Sequence, residues 1–341
     1  MTTMDFPAFV AWSQHVRATR PDVLDVAETR IAVALSPIRP VVAAPAAFPT
    51  VHRCHLAQQW CELRSLPADK APTAFVCDGV RHALDLLFRA FAREGRRVAI
   101  PQDVYPIYGR LADAAGVETT RIATFPDLDL PAFLAHAERH GASTVLLPAP
   151  LKLHGRAWTS DEGDVAADWL AHDGSRRLIL DGVYAFGEPV DATILKLLAT
   201  DQVFHLDSLS KGWLHELVFG IAVVPERDRA RLVDTFRELR PSQDKLWLAR
   251  ELMTRFHDFP ARLAGELARR RAVLVRRLAD VGVDARPTRC GYLVAIDGNA
   301  SSLLDTHGVL ALPASAFGSD RTDLSIASAL AFAGDEPVAA R

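Results

Sequence analysis

From Ala74 to Pro225 the chain alternates short apolar, β-branched runs with longer segments of helical apolar spacing, and this alternation leaves few folds open. FVCDG (75–79) reads as strand then turn, Val80 to Glu94 as an amphipathic helix, and RRVAIP (96–101) as a strand. Pro106 to Ala115 reads as a helix ended by Gly116, followed by the strand VETTRIA, the helix DLPAFLAHAERHG and the strand STVLLPAP (143–150). Asp161 to His172 is helical, RRLILDG (176–182) a strand, QVFHLDSLSK (202–211) a strand running into a turn, and FGIAVVP (219–225) the last strand. Parallel strands need crossovers long enough for a helix, and those helices then cover both sheet faces. The expected class is α/β, with a mostly parallel sheet in a large domain.

The flanks differ. Residues 5–35 read as one or two short helices, the proline-rich stretch Ser36 to Pro49 as an irregular arm, and His52 to Leu63 as a helix. After Glu226 a long charged helical stretch runs through Arg271 to Val281, and the strand-like pieces RCGYLVAI (289–296) and TDLSIASA (322–329) follow. The predicted division is an N-terminal arm with helices over 1–50, a large domain over 51–240 and a smaller α/β domain over 241–341.

Hydrophobic residues make up 49% and charged residues 24%, enough apolar material for a large core. A net charge of -3 gives no electrostatic reason to expect nucleic acid or an anionic membrane as partner. The cysteines Cys54, Cys61, Cys77 and Cys290 form no CxxC pair and read as thiols of a reducing compartment. The N-terminus has no apolar signal core, and Pro37, Arg39, Pro40 and Pro45 break up the stretch Ile31 to Phe48, so a cytoplasmic protein is expected. HAERH (136–140) puts two histidines at i, i+4 on an exposed-looking helix, and ELARRRAVLVRRLAD (266–280) reads as a solvated basic face, so no metal site is expected. GxGxxG, GxxxxGK and GxSxG are all absent.

In an open parallel sheet, ligands bind beyond the carboxyl ends of the strands. Lys211 follows a strand in HLDSLSKGW; partial desolvation there would lower its pKa and make it a competent Schiff-base former. Asp181 ends RRLILD, where a buried carboxylate needs a cationic partner. Tyr184 lies three residues on, and Tyr105 follows the strand end at Pro101. In DGVRHAL, Gly79 takes the turn into a helix whose N-terminal N–H groups suit a phosphate, with Arg81 adding charge and Ser208 a hydroxyl. Taken singly, each also reads as a surface lysine, a helix cap, a core aromatic or a plain turn.

Taken together, at five successive strand ends, they resemble the class I/II aminotransferases, enzymes of pyridoxal-phosphate (PLP) fold type I. LILDGVYAFGEP resembles that family's Asp-x-x-Tyr strand, SLSKGW its Ser-x-Ser-Lys loop, IPQDVYPIYGRLADAAG its Pro-x-x-Tyr-x-x-Tyr helix entry and CDGVRHALDLLFRAF its glycine-led phosphate turn. VLLPAPLKLHGRAWTSDE aligns on the segment usually read as Asn-Pro-x-Asn-Pro-Thr-Gly. The resemblance implies PLP as cofactor, with Lys211 as the Schiff-base lysine and proton shuttle, Asp181 against the pyridinium nitrogen, and Tyr184 on the phenolic oxygen. It implies Tyr105 stacked on the ring, and Gly79, Val80, Arg81, Ser208 and Ser210 around the phosphate. It also implies a homodimer, and an amino acid or amino-acid-derived amine as substrate.

Three departures stand out. Lys152 occupies the place of the asparagine that contacts the phenolic oxygen, with Leu153 and His154 beside it. WLHELVFG, after Lys211, has no arginine to clamp the phosphate, which leaves Arg81 as the candidate replacement. TDLSIASA puts Asp323 where a substrate-carboxylate arginine is expected, with Arg321 two positions earlier. The expected activity is therefore aminotransferase-like, with elimination, substitution or cyclisation from the same carbanion as one alternative and a non-catalytic binding module as another. The expected substrate is an amine, an amino acid held differently, or one whose positive charge Asp323 or Glu216 could meet.

Overall fold

The computed structural model describes residues 4–104, 107–215, 219–237 and 241–332. Its centre is a seven-stranded sheet of β1 (Ala74–Cys77), β2 (Arg97–Pro101), β3 (Glu118–Ile122), β4 (Thr144–Pro148), β5 (Arg177–Asp181), β6 (Val203–Ser208) and β7 (Gly220–Val223). The strand order is β1-β7-β6-β5-β4-β2-β3. β7 runs antiparallel to both neighbours, and the other pairings are parallel, as the alternating pattern requires.

Burial follows from this order. β4, β5 and β6 are buried along their whole length, which is why their sequences read as nearly continuous apolar runs. β3, at one edge, carries the polar sequence ETTRI. Side chains alternate between two cores: Leu178 and Leu180 join one, Ile179 the other. The same parity sends Asp181 to the Ile179 face, covered by the helices Gly79–Arg93 and Ile107–Ala115, and Asp207 to the opposite face with Val203.

The C-terminal part holds a three-stranded antiparallel sheet, Leu312–Pro313, Leu324–Ser328 and Leu293–Asp297, behind the long helix Phe259–Asp280. The N-terminal segment joins it: Leu24–Asp25 pairs in parallel with Val309–Leu310, and Ser328 N–H donates to Val26 O at 2.7 Å. That pairing, and the helices Ala192–Leu198 and Ala300–His307, are absent from the sequence reading because each is too short to set up a period of its own. The basic helix is less solvated than expected. Arg270 is buried, with its Nε 2.6 Å from Glu266 Oε1. Among the described residues, no helix is long and apolar enough to cross a membrane.

Register brings the strand ends together. Pro148 lies opposite Asp181, Asp181 opposite Leu206, and Gly220 opposite both Ser208 and Cys77. A Cβ on Gly220 would stand 2.7 Å from Asp207 O and 3.0 Å from Gly79 Cα, while Gly79 itself sits at φ +82°. Two glycines thus let three backbones meet where the helix Gly79–Arg93 begins.

Gly220→Ala is expected to lower the melting temperature by several degrees, since backbone rather than side chain must move. Gly265→Ala is expected to raise stability by about 0.5–1 kcal/mol, because Gly265 is an exposed helix-interior residue with nothing within 4 Å of a new Cβ. Thermal unfolding of both variants tests the contrast.

Candidate active site

Beyond the carboxyl ends of β4, β5 and β6 lies a cavity walled by Arg81, Lys152, Asp181, Tyr184 and Lys211, together with Tyr108 and an apolar floor. The sheet places Asp181 there as the last residue of β5, 5% exposed. Its Oδ1 accepts from Val183 N–H at 3.0 Å, and its Oδ2 accepts from the Tyr108 hydroxyl. Burial pushes the Asp181 carboxyl above the usual carboxylate range, against the lowering effects of Tyr108, Val183 and the Lys152 charge.

Tyr184 stands on the short turn Val183–Ala185 that leaves β5, with its ring near Phe186 and Tyr292. Lys152 Nζ donates to Tyr184 Oη at 2.7 Å and lies 4.0 Å from the ring centroid. Lys152 rides on a tight hairpin closed by the Leu151–Arg156 bridge, and is 8% exposed. Gly155 O of this hairpin accepts from Arg289 N–H and Cys290 N–H, which ties it to the C-terminal part. His154 turns away, with Nε2 2.7 Å from Thr124 O.

Lys211 sits on the single turn Leu209–Gly212 that follows β6. Burial lowers its pKa, and the charges of Lys152 and Arg81 lower it further, so its amine sheds a proton more readily than a solvent lysine. Underneath, on the other sheet face, Arg64 Nε donates to Asp207 Oδ2 at 2.7 Å, with both side chains 1% exposed. Asp207 Oδ1 accepts from Ser208 N–H. Burial pushes Asp207 up to about 6 despite Arg64, while burial and the Arg64 charge push His205 down to about 3, leaving it neutral.

The helix Gly79–Arg93 points its first turn at the same cavity, and Val80 and Arg81 line it. Asp78 makes no side-chain cap there; it lies instead 3.3 Å from Lys245 Nζ. The free ends of a first helical turn suit an anion.

Of the residues singled out by sequence, Lys211, Asp181, Tyr184, Lys152, Val80 and Arg81 meet at this cavity, with Gly79 at its entry turn. Ser208 and Ser210 stand outside its wall. The Ser210 hydroxyl accepts from Phe219 N–H at 3.1 Å and so holds the returning chain. Tyr105 and Glu216 lie outside the described residues. Asp323 is not in the wall either; it forms an exposed bidentate pair with Arg321 at 2.8 and 2.7 Å. Tyr108 is the residue the sequence reading did not single out, although the three-residue spacing in YPIY carries it.

No family model matches the chain. A histidinol-phosphate aminotransferase from Chlorobaculum parvum is 30% identical over 94 residues, a stretch covering 27% of this chain and 26% of that protein. Among solved structures, the Escherichia coli protein YbdL, described as a methionine aminotransferase, superposes with a TM-score of 0.73 at 18% identity, covering 97% of this chain and 93% of its own. An aspartate aminotransferase variant from Thermus thermophilus gives 0.72 at 18% identity, with 98% and 94% covered. A PLP-bound C–S lyase from Staphylococcus hominis gives 0.67 at 13% identity, with 88% and 79% covered. The chain has the fold these aminotransferases and the lyase share, PLP fold type I.

Proposed function

We propose that this chain is a PLP-dependent, aminotransferase-like enzyme acting on an amino acid or an amino-acid-derived amine. One observation carries the reading: Lys211, Asp181 and Tyr184, from the ends of two neighbouring strands, line one cavity at the mouth of the sheet. The residues fit the cofactor. Among the described wall residues, Arg81, Lys152 and Lys211 are cationic and Asp181 is acidic, a balance suited to a ligand with an anionic group and a protonated ring nitrogen. Burial makes Asp181 costly to ionise alone, and a ring cation beside it would offset that cost.

When bound, PLP supplies an electron sink for charge developing at the substrate's α-carbon. The protein supplies position and protons. Lys211 would be the attachment point for the cofactor, and its amine, when free, would serve as the base for the substrate's α-proton. Its depressed pKa leaves more of that amine neutral at a given pH than an ordinary lysine would. Asp181, steadied by Tyr108 and Val183 N–H, would face the ring nitrogen. Tyr184 and Lys152, bonded to each other, would address the phenolic oxygen. Val80 N–H and Arg81, at the helix start, would hold the phosphate.

Elimination from the same deprotonated carbon is a second reading. It is supported by the C–S lyase of the same fold and by the position of Arg321, exposed and paired with Asp323 outside the cavity wall. We further propose that the protein works as a homodimer: Val33 is 59% exposed, Val41 83% and Phe48 42%, apolar side chains of the N-terminal segment that a second copy would cover. Sedimentation of the full chain as a monomer would remove that part of the proposal.

Addition of PLP should give a visible absorption band, and borohydride should then fix the cofactor to the wild type but not to Lys211→Ala. A protein that never takes up PLP would instead fit a binding module. With a competent substrate, Lys211→Ala should lose about 10²–10⁴-fold in turnover. Asp181→Asn should retain the cofactor and lose at least about a hundredfold. Stoichiometric oxo acid with the amino group retained on the enzyme marks transamination; free ammonia marks elimination.

The pH dependence has a definite sign. Only the neutral amine condenses with an aldehyde, so a lowered Lys211 pKa carries PLP uptake to lower pH than an ordinary lysine allows, and uptake fails as pH falls through that pKa. Arg81→Met removes one cause of the shift and should move the midpoint upward in a spectroscopic titration.

A further inference from the structure

The helix Gly79–Arg93 begins with a carboxylate that does not cap it. Aspartate is among the strongest N-caps, because its side chain accepts from the backbone N–H groups of the first turn. Asp78 stands at the capping position, yet no side-chain cap forms there. Its carboxylate is engaged elsewhere: Lys245 Nζ donates to Oδ1 at 3.3 Å, and His82 Nδ1 lies 3.9 Å from Oδ2. Lys245 belongs to the first turn of the helix Gln243–Arg255. The buried side chains of Leu246, Trp247 and Ala249 hold that helix in place, as does the bond from Val51 N–H to Gln243 Oε1 at 2.9 Å. The lysine therefore reaches Asp78 from a packed element.

The same helix start faces the cavity, with Val80 and Arg81 in its wall. A phosphate held there would compete with Asp78 in two ways. A capping carboxylate would take the N–H groups that the phosphate needs, and an uncompensated one would repel it. The contact with Lys245 acts on both, since it draws the carboxylate off the helix start and sets a positive charge against it. Lys245 itself is not part of the cavity wall.

Resting on the PLP reading above, we propose that Lys245 is a positioning residue for the cofactor's phosphate, acting through Asp78 and without touching the phosphate. Its work is to keep a carboxylate from capping, and from repelling an anion at, the helix start that lines the cavity. The two side chains are 35% and 37% exposed, so solvent and salt screen the pair and the effect on affinity is modest and largest at low ionic strength.

Spectroscopic titration of the cofactor-free protein with PLP and with pyridoxal, which has the same ring and aldehyde but no phosphate, tests this without turnover. In low-salt buffer, Lys245→Met should bind PLP about three- to fivefold more weakly than wild type and bind pyridoxal as wild type does. Lys245→Arg should restore PLP affinity. In an Asp78→Ala background, where no carboxylate remains to be drawn away, Lys245→Met should change PLP affinity less than twofold. Four results overturn the proposal. They are a Lys245→Met protein with unchanged PLP affinity, an equal loss for pyridoxal, a Lys245→Arg protein as weak as Lys245→Met, and an equal loss in the Asp78→Ala background, which would mean that Lys245 meets the phosphate directly. A wild type that takes up no PLP fails earlier and overturns the cofactor reading instead.

Discussion

Asp181 ends a strand buried along its whole length, with Pro148 beside it on one neighbour and Leu206 on the other. A carboxylate in that position loses its water and recovers only what nearby donors and cations return. Tyr108, Val183 N–H and the charge of Lys152 each contribute, yet burial still dominates. The protein thus compensates a charge on Asp181 only in part, and under the proposed reading a cation in the cavity would complete the compensation. The placement of Lys211, Tyr184 and the helix start at Gly79 acquires a chemical meaning from that one constraint.

The opposite sheet face carries a second buried charge arrangement. Because side chains alternate along β6, Asp207 points away from the cavity and meets Arg64, which lies on the far side of a hundred-odd residues of chain. This pair does not touch the cavity. It fixes the strand whose end becomes the Lys211 turn, while neutral His205 adds no further charge to it. A strand held this firmly lets a four-residue turn present a lysine reproducibly.

Much of this is legible in the sequence. The sheet strands announce themselves because parallel strands are covered on both faces and so appear as unbroken apolar runs. Asp181 and Lys211 stand out because each interrupts or follows such a run. Tyr108 did not stand out, since a tyrosine on an amphipathic helix looks like any core aromatic until its hydroxyl has a partner. The Ser210 hydroxyl, near a strand end, accepts from Phe219 N–H, a contact no spacing rule encodes. The Leu24–Asp25 pairing with Val309–Leu310 is equally invisible, because two residues cannot display a period.

The sequence alone determined the class of fold, the order of its elements and the residues at the strand ends, because hydrophobic periodicity and turn chemistry act over short stretches of chain. Only the tertiary structure decided which of those residues share a cavity, that Lys152 turns inward onto Tyr184, and that Asp323 turns outward onto Arg321. Those outcomes depend on burial, register and charge compensation among segments far apart in the chain, and such long-range free energies leave no local pattern to read.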